Sequence, residues 1–131
     1  MIDCENEVYT IIAKVLRDKF HGIDISGDEE NVPSKFPHVS IVQADNYTVP
    51  EFTDFSNEMI GIMFEVNVYS NKQSNKKTEC KKIMSAINDV FFSLNFRRMS
   101  LVPVNNRDNE TIYRLIARFR GRTDGKFFYR S

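Results

Sequence analysis

Four arginines are the residues in this sequence best placed to act together. Arg114, Arg118, Arg120 and Arg122 fall in a stretch, TIYRLIARFRGR, whose alternation is that of a β-strand. Side chains of equal parity project from one face of a strand, so the four form a row. A row of guanidinium groups can pair with carboxylates on neighbouring strands, Glu65 among them, meet another subunit that pairs them, or touch nucleic-acid phosphates. Tyr113, Leu115, Ala117 and Phe119 lie on the opposite, apolar side of the same strand.

No other set of side chains converges on a reaction. His21 and His38 are the two histidines, and neither has a Cys, Asp or Glu at metal-ligand spacing. Cys4 and Cys80 are the two cysteines, in no CxxC or Cys/His cluster. Each stands beside apolar residues on a predicted helix, so buried free thiols are expected, and a cytosolic origin argues against a disulfide between them. The acidic pair Glu29 and Glu30 beside Asp24 and Asp28 lacks the alternate-position oxygen spacing of a calcium loop. No Gly-rich phosphate loop, GxSxG or HExxH occurs. The sequence therefore predicts no enzyme, no catalytic or metal-ligating residue and no cofactor.

A second candidate surface is the segment over residues 44–58, ADNYTVPEFTDFSNE. It places Tyr47, Val49, Phe52 and Phe55 among Asp45, Glu51, Asp54 and Glu58. A loop this long exceeds what joining two adjacent strands requires, and long loops with aromatic residues serve partners when they do not fold back onto the body. Tyr47, Val49, Glu51, Phe52 and Phe55 are the predicted partner contacts.

The elements that position these residues follow from hydrophobic period. Residues 3–20 read as a helix, with Val8, Ile11, Ile12, Val15, Leu16 and Phe20 on one stripe and Gly22 as the stop. Residues 23–37, with Pro33 and Pro37, read as a connection, and 38–43 as a short strand. Strict alternation follows at 61–69, with Ile62, Phe64, Val66 and Val68 on one side. A Lys-rich polar turn leads into a helix whose stripe is Cys80, Ile83, Met84, Ile87, Val90, Phe91 and Leu94, with Asn95 as a left-handed cap. A third strand spans 96–104, where Pro103 argues for a sheet edge, and the arginine strand spans 111–122. Together these predict a single α+β domain over 1–131. Its mainly antiparallel sheet has about four strands, two helices pack on one face, and a hairpin arm lies at 121–131.

Composition is consistent with this reading. The chain has 131 residues, enough for one core, with 18 Lys plus Arg against 18 Asp plus Glu. A whole-surface nucleic-acid binder would be basic overall, so any such contact must be local, and a small nucleic-acid-binding module is disfavoured. No apolar run approaches the roughly 20 residues that span a bilayer, and the acidic start (Asp3, Glu5, Glu7) is not that of a signal peptide, so neither membrane nor classical secretion is expected.

The strand ending VNVYSN (66–71), the helix opening KKTECKKIM (76–84) and the short FRR strand (96–98), followed by TIYR (111–114) and ARF (117–119), resemble the tail terminator, or tail completion, proteins of tailed phages and phage-tail-like particles. The resemblance extends over most of the chain from Phe36 and rests on pattern and element order. It implies a virion structural protein assembled in the host bacterial cytoplasm. Six copies would form a ring that caps the head-proximal end of the tail tube and joins it to the neck. The tube protein, and sheath or neck and head-completion proteins, would be its partners. The arginine row would face a ring contact or the lumen, with DNA met only in passing, because a channel through which DNA slides gains little from holding it. A head–tail connector is the alternative within the same class.

Overall fold

The computed structural model describes residues 1–29, 32–50, 58–105 and 111–129. In chain order its elements are α1 (Glu5–Lys19), β1 (Asp24–Ser26), β2 (His38–Thr48), β3 (Ile60–Ser70), α2 (Lys76–Ser93), β4 (Arg97–Asn105), β5 (Tyr113–Thr123) and β6 (Phe128–Tyr129). The alternating stretch becomes β3, the middle of a sheet ordered β1-β2-β3-β5-β4, with β6 paired to the end of β5. Its residues pair with β2 on one side (Val66 with Ile41) and β5 on the other (Val66 with Ala117), both antiparallel.

The expected sheet of about four antiparallel strands is corrected to a six-stranded mixed sheet. β1 is three residues long, too short to show a period, and runs parallel to β2 with Ile25 opposite Val39. β2 extends to Thr48 instead of ending at Gln43. A bulge at Ala44, between Gln43 and Asp45, shifts its register, and Asp45, Asn46, Tyr47 and Thr48, read as the start of a loop, instead pair with the first residues of β3. β5 continues through Thr123 and pairs there with β6, Arg122 with Tyr129 and Thr123 with Phe128, within the stretch expected as a hairpin arm.

Both helices lie on one face. α1 packs on β2 and α2, and α2 on β3, β5 and β4. The stripe residues Val8, Ile12 and Leu16 of α1 and Ile83, Ile87 and Phe91 of α2 are fully buried against Ile62, Phe64, Val66 and Val68. Phe91 is the centre of an aromatic cluster: its ring stacks on Phe119 at 4.2 Å and meets Phe96 at 5.1 Å and Phe64 at 5.7 Å. Backbone punctuation is as the sequence predicts, with Gly22 at φ 80° after α1 and Asn95 at φ 66° after α2. Asn75 adds a third left-handed residue (φ 65°) immediately before α2. Gly121 serves a different need: a Cβ there would sit 2.9 Å from the Phe96 ring, so only glycine lets β5 lie under that side chain.

Candidate functional site

The face of the sheet away from the helices carries the predicted arginine row. On β5, Leu115, Ala117 and Phe119 enter the core, and Arg114, Arg118, Arg120 and Arg122 alternate with them on the opposite side. Register places Arg114 opposite Tyr69, Arg118 opposite Glu65, Arg120 opposite Met63 and Arg122 opposite Gly61. The row is one line in space but not one environment.

At one end Arg114 is 8% exposed. Its Nε donates to Asn67 Oδ1 at 2.9 Å, its Nη2 to Glu29 Oε1 at 2.8 Å, and its guanidinium carbon lies 5.2 Å from the Tyr69 ring centroid. Beside it His38, fully buried, has Nδ1 at 2.7 Å from Asp24 Oδ2 and its ring 5.6 Å from that of Tyr69. Ser40 and Asn67 on the same face are also buried. Alternation along β3 predicts one buried side, but at this end both sides are covered: Arg114 lies over Tyr69 and is held by Asn67 and by Glu29 of the β1–β2 connection. Sequence reasoning missed this polar cluster, whose members are 85 residues apart in one contact and 14 in another. Arg114 is therefore committed within the fold.

Farther along, Arg118 has 55% of its side chain exposed and lies 3.6 Å from Glu65 Oε2, an ion pair of the kind expected for this face. Arg120 and Arg122 are half-buried. Met63 from β3 and Arg97, opposite Arg120 on β4, complete a cationic and apolar strip.

The predicted partner residues are distributed differently. Tyr47 is on β2, not in a loop, with its ring laid across Gly61, where any Cβ would fall inside the ring. It remains 36% exposed. Val49 is half-buried, and its N–H donates to Met59 O at 2.9 Å, extending the β2–β3 pairing beyond Thr48. Glu51, Phe52 and Phe55 lie outside the described residues.

Burial, reinforced by Glu7 and Asp3, pushes the Cys4 thiol up to about 11. Burial, reinforced by Glu79, pushes Cys80 up to about 12. Both cysteines are free, and at neutral pH they are thiols, not thiolates, so neither offers a nucleophile. At the β5–β6 turn Asp124 accepts from the Phe127 and Lys126 N–H groups, which hold its carboxyl below the usual range.

No protein-family model matches the sequence, and no curated protein matches it. A solved structure does. One chain of the virion of a native gene transfer agent particle has a similar fold, with a TM-score of 0.60 at 16% identity, over 87% of this chain and 92% of that chain. At that identity the likeness is one of fold.

The division of the arginine row predicts two different mutational costs. Arg114→Ala strands the buried Asn67 oxygen and half-frees Glu29, so we expect a loss of roughly 2–3 kcal/mol. Arg114→Lys restores little of it, lacking the planar fork. Arg118→Ala removes an exposed pair and should cost at most about 1 kcal/mol. Thermal unfolding followed by circular dichroism separates the two, and equal losses at the two positions would contradict this account.

Proposed function

We propose that this chain is a structural protein of a phage-like particle, and within that class a tail terminator. The observation that carries the reading is the fold shared, over most of both chains, with a component of a gene transfer agent virion. The VNVYSN, KKTECKKIM and FRR segments add the finer assignment through their resemblance to tail terminators. In this reading six copies close into a ring on the head-proximal end of the tail tube, end its polymerisation and offer the other side to the neck. The ring closes by heterologous contacts, in which two different patches of each subunit meet. No reaction is involved. The tube protein is the first partner, sheath and neck or head-completion proteins are the next, and DNA passes without being held.

Native mass spectrometry of the protein alone and with tube protein, together with negative-stain imaging of particles carrying a labelled copy, tests this. The expected result is a ring of six at the head-proximal end of the tail, and overlong or unjoined tails when the protein is missing. A protein found only as a monomer and absent from particles would overturn it. A label on the head side of the neck would move the assignment to a head–tail connector.

A further inference from the structure

The balanced net charge hides a strong asymmetry. Residues 1–65 contain thirteen acidic and four basic side chains, and residues 66–131 contain five acidic and fourteen basic. The chain crosses from one composition to the other within β3, the middle strand of the β1-β2-β3-β5-β4 path. Among the described residues, 1–48, which carry α1, β1 and β2, hold eight acidic and four basic side chains, and 71–105, which carry α2 and β4, hold two acidic and seven basic, so the two outer sides of the sheet differ in charge. Within the molecule Arg114 and Arg118 of β5 pair back to Glu29 and Glu65, and the opposite excess charges of the two outer sides are what a second copy can meet.

Each lateral side also carries a groove. At the basic edge a groove of about 260 Å³ opens between α2 and β4, lined by Lys81, Met84, Arg98 and Leu101 among others. Beside it on the edge strand Met99 is 44% exposed, Leu101 38% and Val102 49%. At the acidic edge a groove of about 300 Å³ lies between α1 and the β1–β2 side, lined by Glu5, Tyr9, Gly27 and Ile41 among others. Asp28, next to Gly27, and Asp45, two residues beyond the Gln43 whose N–H donates to Glu5, are both exposed.

We infer that the acidic α1/β1/β2 side of one copy docks on the basic α2/β4 side of the next, in a head-to-tail contact between copies of this chain. Opposite charges steer the encounter and fix its register, because like sides repel. The exposed Met99, Leu101 and Val102 supply the apolar centre that such a contact needs to hold. The contact is heterologous, so it repeats from copy to copy and closes only if the rotation permits. That this repetition ends in a ring rests on the tail terminator reading; the pairing of the two sides does not.

A charge-swap complementation on the full chain tests the contact. One variant reverses the basic side, Lys81→Glu with Arg98→Glu, and the other the acidic side, Asp28→Lys with Asp45→Lys. All four positions are exposed, so each protein should melt close to the wild type, which circular dichroism checks. Sedimentation velocity is then run between about 10 mM and about 1 M salt, over which the screening length falls from ~30 Å to ~3 Å. The wild type should associate at low salt and dissociate as salt rises. Each variant alone should associate at least about tenfold more weakly, and an equimolar mixture of the two should regain the wild-type assembly. A wild type that stays monomeric at low salt, a reversed variant that assembles unaided, or a mixture that fails to recover would each overturn the proposal. Rings of six on tails that tolerate both reversals would sink this contact while sparing the ring. Swap-restored association that yields open chains with no place on a tail would do the opposite.

Discussion

Phe91→Ala should cost about 3–5 kcal/mol, and Phe92→Ala, one residue along the same helix, less than about 1 kcal/mol. The side chains are chemically identical and differ only in where the helical period points them. Phe91 is fully buried and Phe92 is 61% exposed. Truncating Phe91 removes the ring that stacks on Phe119 at 4.2 Å and touches Phe64 and Phe96, and it opens a cavity beneath three other aromatic rings. These rings are carried by three strands or strand flanks, which cannot all move inward to refill the space, so most of the cavity remains. For a domain of this size the loss corresponds to a drop in Tm of roughly 10–20 °C. Denaturant and thermal unfolding of the two variants side by side measure it. Similar losses at both positions would mean that α2 is rotated about its axis relative to the sheet.

That pair of phenylalanines also marks the part of the fold that local sequence encodes. The stripe Cys80, Ile83, Met84, Ile87, Val90, Phe91 and Leu94 is set by helical period alone; the first six side chains are buried and Leu94, at the helix end, is half-buried. β3 and β5 are legible for the same reason, having long alternation and one apolar side. What resisted reading is non-local or irregular. β1 has three residues and takes its conformation from pairing with His38, Val39 and Ser40, so nothing within it announces a strand. The second half of β2 was obscured by the bulge at Gln43/Asp45, which breaks the period where the composition turns polar. Asn67, Tyr69 and Arg114 are buried, and Arg114 reaches both Asn67 and Glu29 of a distant connection, contacts that no periodicity reports. Within the candidate surface, equal parity correctly put four arginines on one face but could not say that Arg114 would be taken up internally. The charge asymmetry, by contrast, was readable from residue counts once the chain was divided at β3, and only the strand order gives it a direction.

The second large effect is expected in alkali. Cys80 Sγ lies 3.6 Å from Val68 O and 3.7 Å from Tyr113 O, contacts in which only the protonated thiol can donate. Burial raises this thiol to about 12 and, with Glu7 and Asp3 nearby, raises Cys4 to about 11, from 9.0 for each in an unfolded chain. Below pH 9 both states keep both protons, and the thiols add no pH dependence. Between pH 9 and these raised values the unfolded chain releases protons that the folded chain retains, so stability falls as pH rises, by roughly 1 kcal/mol per pH unit for each thiol. By pH 11 the two together remove on the order of 5 kcal/mol, a large share of what a domain this size possesses. Tyrosines and lysines also titrate in this range, so the measurement is a comparison: Cys4→Ala with Cys80→Ala against the wild type, each unfolded in urea at intervals from pH 8 to pH 11. The double variant should start lower at pH 8, having lost two buried side chains, and decline less steeply above pH 9, so that the two curves converge. The wild-type thiols should also stay unreactive toward a disulfide reagent at pH 8 until the protein is unfolded. Parallel curves above pH 9, or rapid labelling of the folded protein, would show that the cysteines ionise in the native state and contribute nothing to its alkaline limit.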